Sequence, residues 1–189
     1  MITAPALLAV LEGARNGRVV GVAPAISYAG RRLLATLRKG LLAGLVYTAQ
    51  FALGVLIIVL GTSTSFPVAI SVLIFIPYLI YLLPVSPVLV AAATIGDPNK
   101  NSVWHGLRLF VADWPTAAGA FYLVGLVLFF VSIGAAIISL IPFFGILVQL
   151  ALTVVQYGMC AANSLLIWIR LGGDIDPALT QLVEEAPPE

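Results

Sequence analysis

Few side chains in this sequence could do chemistry, and they are thinly spread. His105 is the one histidine and Cys160 the one cysteine, too few to build a zinc, haem or Cys–His nucleophile site from this chain alone. A histidine beside Trp104 could ligate a pigment magnesium or a haem iron axially. His105 falls outside the apolar stretches, however, so ligation is the lesser reading, and neither a pigment nor another cofactor is expected. Cys160 reads as a small buried hydrophobe. Asp97 and Asp113 read more simply as solvated loop charges than as paired catalytic carboxylates. No P-loop, GxGxxG, HExxH or GxSxG pattern occurs, so no catalytic residue and no metal ligand is assigned, and the chain reads as a non-enzyme.

The other chemistry on offer is hydrogen bonding inside lipid. Gln149, Gln156 and Asn163 recur every seven residues, with Thr153 and Cys160 beside them, which draws one polar stripe along a helix. Side-chain amides in hydrocarbon are costly and hydrogen-bond across helices. Together with Gln50 they are assigned to contact within the bundle or with a neighbouring protein. The alternative is a polar path for a solute, for which the partners elsewhere are only Tyr47, Thr48 and Gln50. With no Lys, Arg, Asp or Glu in these segments, ion- or proton-coupled transport is disfavoured.

The elements that carry these residues follow from charge placement. Of 189 residues 61% are hydrophobic and 9% charged, against about 25% charged in a water-soluble domain, so lipid is the natural solvent. No Lys, Arg, Asp or Glu occurs from Gly40 to Gly96 or from Trp114 to Ile169. Each block is about twice the roughly 20 residues that cross a bilayer, and is read as a helical hairpin. The spans are expected at 41–60, 66–95, 116–140 and 146–169, between an interfacial N-terminal segment (1–40) and an acidic tail (172–189). Pro77, Pro84 and Pro87 should break the second span around Pro84–Pro87. Gly40 with Gly44, and Gly158 with Ala162, offer close-approach surfaces for packing within the chain.

Basic residues flank the spans on one side only, which places both termini in the cytoplasm and the chain, multi-pass, in the plasma (inner) membrane. No cleavable signal is read at the N-terminus. Met1–Gly13, where Pro5 is followed by the apolar run Ala6–Leu11, reads as carrying a helix too short to span, resting on the membrane or on a partner. Ala25–Lys39 reads as an amphipathic helix in the interface plane, with Arg31, Arg32, Arg38 and Lys39 set to meet anionic headgroups. Ser102–Asp113 reads as a second such helix with Ser102 as its N-cap, and Trp104, Trp114 and Trp168 as aromatic-belt residues. The tail, helical over 177–185, is expected to be soluble and in part mobile.

A basic segment Arg31-Arg32-Leu33-Leu34-Ala35-Thr36-Leu37-Arg38, a proline-rich second span ending in Val90-Ala91-Ala92-Ala93, Gly106-Leu107-Arg108-Leu109-Phe110, and Ser164-Leu165-Leu166-Ile167-Trp168-Ile169-Arg170-Leu171-Gly172-Gly173 together resemble a known group. It comprises the multi-span membrane proteins related to the membrane domain of glycerophosphoryl diester phosphodiesterases. The likeness covers residues 27–183. Such proteins usually have more than four spans, and that domain is not the catalytic part. The resemblance implies a helical membrane module and transfers no catalytic residue. The expected protein is an all-α integral membrane subunit with four spans as two hairpins. It is expected to scaffold or stabilise a larger complex, a bioenergetic one being a natural host, through other membrane subunits and anionic lipids, with lipid able to bind and no nucleic-acid partner. The alternative is a small-solute or lipid transport module.

Overall fold

The computed structural model describes residues 3–63, 68–138 and 144–188, and among them all regular structure is helical. The helices are α1 (Thr3–Arg15), α2 (Val22–Arg31), α3 (Leu33–Ser63), α4 (Val68–Leu82), α5 (Val85–Thr94), α6 (Ser102–Ala112), α7 (Trp114–Ile138), α8 (Phe144–Arg170) and α9 (Pro177–Glu184). Four segments are long and apolar enough to cross a membrane: Leu33–Val59, Val72–Thr94, Trp114–Ala136 and Leu147–Arg170. The second crosses the α4–α5 break. Of the turns expected at 61–65 and 141–145, residues 64–65 and 141–143 lie outside the described residues, whereas 61–63 continue α3 and 144–145 begin α8.

Helix α3 begins earlier than its charge pattern suggests. The amphipathic stretch 25–39 is not one helix in the interface plane. It breaks at Arg32, and Leu33–Lys39 is the first two turns of the α3 rod. Good helix formers and the apolar Leu33, Leu34 and Leu37 carry the helix straight into Gly40, with no Pro or cap to stop it. At the other end of the hairpin the prolines act as expected. The chain leaves helical hydrogen bonding at Leu83-Pro84, so the second span is two helices, α4 and α5.

That break creates the centre of the molecule. Helix α5 packs against α3 on one side and α8 on another, and also meets α6 and α1. Val85, Val88, Leu89 and Ala91–Ala93 are all buried. The run of small residues at 91–93 lets three helices approach it closely. The hairpins α3–α4 and α7–α8 otherwise pack internally, tied by the Tyr122 hydroxyl donating to the Ile80 carbonyl at 2.7 Å.

The buried core therefore sits at one end, where α5, α6, the start of α7 and the end of α8 meet α1, α2 and α9. Three expectations change there. Helix α1 does not wait for a partner: Leu8 and Ala9 are buried in this core, against α2, α8 and α9. The tail is not free either, since Leu179 and Val183 of α9 are buried as well. Trp168 is not a belt residue. It is fully buried, and its indole N–H donates to the Asp174 carbonyl at 3.2 Å, while Trp104 and Trp114 stay exposed.

The chain end reaches the core by a tight helix stop. Gly172, at φ +74°, ends α8; Gly173 N–H donates to the Trp168 carbonyl at 2.9 Å and Gly172 N–H to that of Ile169 at 3.0 Å. This is the paired 6→1 and 5→2 bonding of a Schellman stop, whose left-handed residue favours glycine. A Cβ on Gly173 would lie 2.2 Å from the Trp168 ring, so the turn folds flat against the indole.

Candidate functional site

Three groups of residues remain after the packing is accounted for: a buried polar junction, the amide stripe of α8, and a groove between α3 and α5.

The junction starts at Arg32, the residue that caps α2. It is not a headgroup contact. Its side chain is 7% exposed, and its guanidinium pairs with the 3% exposed carboxylate of Asp176 at 2.7 Å. One guanidinium nitrogen also donates to the Tyr28 hydroxyl and the other to the Gly96 carbonyl, both at 2.7 Å. The Tyr28 hydroxyl donates to Asp176 at 3.0 Å. Burial pushes the Tyr28 phenol well above its ordinary range, although the neighbouring guanidinium pulls the other way. Asp176 also caps α9 by accepting from Ala178 N–H at 3.1 Å, and its own N–H donates to the Ile95 carbonyl at 2.9 Å. Charge from residue 32 and residue 176 is thus joined across the α5–α6 loop.

Lys39 belongs to the same wall. Its ammonium donates to the Asp97 carbonyl at 2.5 Å and to the Ser102 hydroxyl at 2.7 Å, and Ser102 donates to the Ala92 carbonyl at 3.0 Å. Two expectations fail here for one reason. Lys39 is held away from headgroups, and Ser102 crosslinks helices instead of capping α6, whose cap position is Asn101. A Lys or Ser next to buried carbonyls satisfies them in preference to solvent or its own helix. Arg31 and Arg38 remain exposed, as a headgroup contact requires. His105 is half-buried on α6. Among the described residues no three His, Cys, Asp or Glu side chains lie close enough to hold a metal.

The amide stripe divides. Gln156 donates to the Ser132 hydroxyl of α7 at 3.2 Å, and Ser132 donates to the Leu128 carbonyl, so this amide is glue within the hairpin. Asn163 is buried near the core end. Gln149 is exposed on the side of α8, as are Thr153, Tyr157 and Cys160. The cysteine is therefore not the buried hydrophobe its residue type suggests. Gln50 lies half-buried in the α3–α4 hairpin, where the Tyr78 hydroxyl donates to its backbone carbonyl, while its side-chain oxygen is buried without a partner.

The groove was not legible as such. Thr36, Gly40, Ala43, Gly44 and Tyr47 of α3 face Leu89, Ala93 and Thr94 of α5 across a cavity of about 360 Å³ that reaches Ala4 of α1. Gly40 and Gly44 were expected to seat a neighbouring helix. A Cβ at either meets nothing within 4 Å, because α5 stands back from the glycine face. The same holds for Gly158 on α8. The signal that could have found the groove is the spacing 36, 40, 43, 44, 47, one helical face on which small residues run from a hydroxyl at the charged end to Tyr47.

Compared with protein-family models, curated proteins and solved structures, the chain has no match.

Proposed function

We propose that this protein is a non-catalytic integral membrane subunit that assembles with other membrane helices through the exposed side of α8. The observation that carries this reading is Gln149, a primary amide exposed on an apolar span whose sister Gln156 is already engaged inside the hairpin. An amide facing hydrocarbon is satisfied by a neighbouring helix at about 1–2 kcal/mol per bond. Gly158, open to the outside, and the exposed Tyr157 extend the same flank as a close-approach strip beside an aromatic anchor. On this reading the likeness to the phosphodiesterase membrane domain is one between membrane modules, not between catalytic sites.

The test is purification from the native membrane in mild detergent. The chain is expected to migrate with other integral membrane subunits, and Gln149→Leu to lower their recovery about 5–30-fold, while Gln156→Leu loosens the hairpin and leaves less folded protein. A wild-type chain recovered only as a lone monomer overturns the assignment.

The orientation that goes with this reading puts α1, α2, α6 and α9 on the cytoplasmic side of the plasma (inner) membrane, following Arg31, Arg32, Arg38, Lys39, Lys100, Arg108 and Arg170. A cysteine-reactive, membrane-impermeant label applied to intact cells should modify a cysteine placed at position 63 and leave one placed at position 99 untouched. The reverse pattern inverts the topology.

A further inference from the structure

We infer that the α3–α5 groove is a binding site for one acyl chain of a phospholipid of the cytoplasmic leaflet, with Thr36 as the donor to its ester carbonyl. This site lies on a different face from the α8 flank and goes beyond the subunit reading.

Depth is the first argument. Gly40 is the first residue of the uncharged block, one residue past Lys39. Thr36 therefore stands level with the last charged side chains, at the boundary between headgroups and hydrocarbon, and Tyr47 lies deeper. Eleven residues of helix span about 16 Å, which is about half of a roughly 30 Å hydrocarbon core and so the depth of one leaflet. The groove runs along that length as a single channel, since α5 returns antiparallel and places Thr94 opposite the Thr36 end and Ser86 opposite Tyr47.

The second argument is the lining. The walls are glycine backbone and Ala, Leu and Val side chains, with the hydroxyl-bearing Thr36, Tyr47, Ser86 and Thr94 among them. Thr94 satisfies its hydroxyl on the Val90 carbonyl at 2.7 Å, and Ser86 on that of Leu83 at 2.9 Å. Thr36 does not: the residue is 8% exposed and its hydroxyl has no partner within the protein. A buried hydroxyl without a partner asks for one; Thr36 lines the groove, and a helical threonine has two accessible χ1 rotamers through which its hydroxyl can turn toward an acceptor bound there. An ester carbonyl at the head end of an acyl chain supplies the acceptor at that depth.

Shape favours a lipid over a protein helix. Ala4 of α1 lines the groove together with α3 and α5, so a partner helix, about 10 Å across, would have to displace α1, whereas an acyl chain is narrow enough to lie beside it. The exposed Arg38, just past Thr36 near the start of α3, and the exposed Arg31, at the end of α2, complement a headgroup phosphate.

The experiment uses the full chain reconstituted in phosphatidylcholine vesicles containing a phosphatidylglycerol with a photoactivatable diazirine midway along one acyl chain. Adducts are expected to concentrate in residues 36–47 and 86–94. Gly44→Leu, which projects into open space, should lower those adducts at least tenfold, and Gly125→Leu, equally open but on α7, should leave them unchanged. Thr36→Val, nearly isosteric, should lower them about 2–10-fold, the worth of one hydrogen bond, with unchanged resistance to unfolding in detergent. Adducts spread evenly over the exposed faces of α3, α4, α7 and α8 overturn the proposal. So does wild-type labelling in both Gly44→Leu and Thr36→Val, or labelling by a diazirine fatty acid with none by the phospholipid.

Discussion

Arg32→Ala is expected to cost about 3–5 kcal/mol of stability and to release the C-terminal helix. The substitution removes one partner of an ion pair whose two side chains are both under 10% exposed, and leaves the Asp176 carboxylate buried with only the Tyr28 hydroxyl and one backbone N–H. Uncompensated buried charge of this kind is what makes half-removal of a pair expensive. The same change also strips the Gly96 carbonyl of its donor. Chemical unfolding in detergent micelles measures the loss, and limited proteolysis or amide exchange at residues 177–184 reports whether α9 has come away. The informative control is the double replacement Arg32→Met with Asp176→Leu, which removes both charges and should recover most of the loss, because an apolar pair of similar volume is often neutral or better. If the single variant leaves α9 protected and the unfolding midpoint in place, the junction does not hold the two chain ends together.

Trp168→Ala should be of similar size, about 3–5 kcal/mol, as for a fully buried large aromatic. Its indole is 0% exposed and fills the space between Gly106 of α6 and the Gly172–Gly173 turn: a Cβ at Gly106 would lie 2.9 Å from the ring and one at Gly173 only 2.2 Å. Those two glycines are the complement of the ring, so the cavity left by alanine cannot close without moving α6 or the start of the tail. Trp168→Phe should recover part of the loss and forfeit the bond to the Asp174 carbonyl. The position also separates two readings of the residue. An interfacial belt tryptophan would lose little stability on truncation, since it anchors depth and packs loosely, whereas a core tryptophan loses the whole cavity term. Gly173→Ala offers a third check from the opposite side, since the added methyl has no room.

The two predictions sit where the sequence was least readable. Six basic residues before the first uncharged block look alike in a string of letters, yet Arg32 and Lys39 are consumed by carbonyls and a carboxylate from 58 to 144 positions away, while Arg31 and Arg38 stay outside. Spacing alone does not separate them, because the helix breaks among them: Arg31 ends α2, Arg32 is its cap, and Arg38 and Lys39 lie on α3. Which side chains are covered depends on where the α5–α6 loop and α9 lie. The amide stripe shows the same division. Its spacing was visible, but Gln156 turns to Ser132 and Gln149 does not, because the α7–α8 contact follows the hairpin only part of the way round α8.

What the sequence determined by itself was the solvent and the number of rods. Two uncharged blocks, each long enough for two crossings and each interrupted by Pro and Gly, admit helices in lipid, since every backbone polar group there must be bonded within its own segment. The α4–α5 break was equally local, a consequence of proline chemistry at Pro84. What only the tertiary structure decided was the use made of the ends: α1 and α9 folded onto α5 and α8, Trp168 taken inside, Thr36 and two glycines left facing a gap. Hydropathy records whether a side chain prefers oil, and in a chain with apolar residues on nearly every face it carries no information about whether that oil is lipid or protein. Burial against another helix is a property of pairs of segments far apart in the chain, and it is fixed only when they meet.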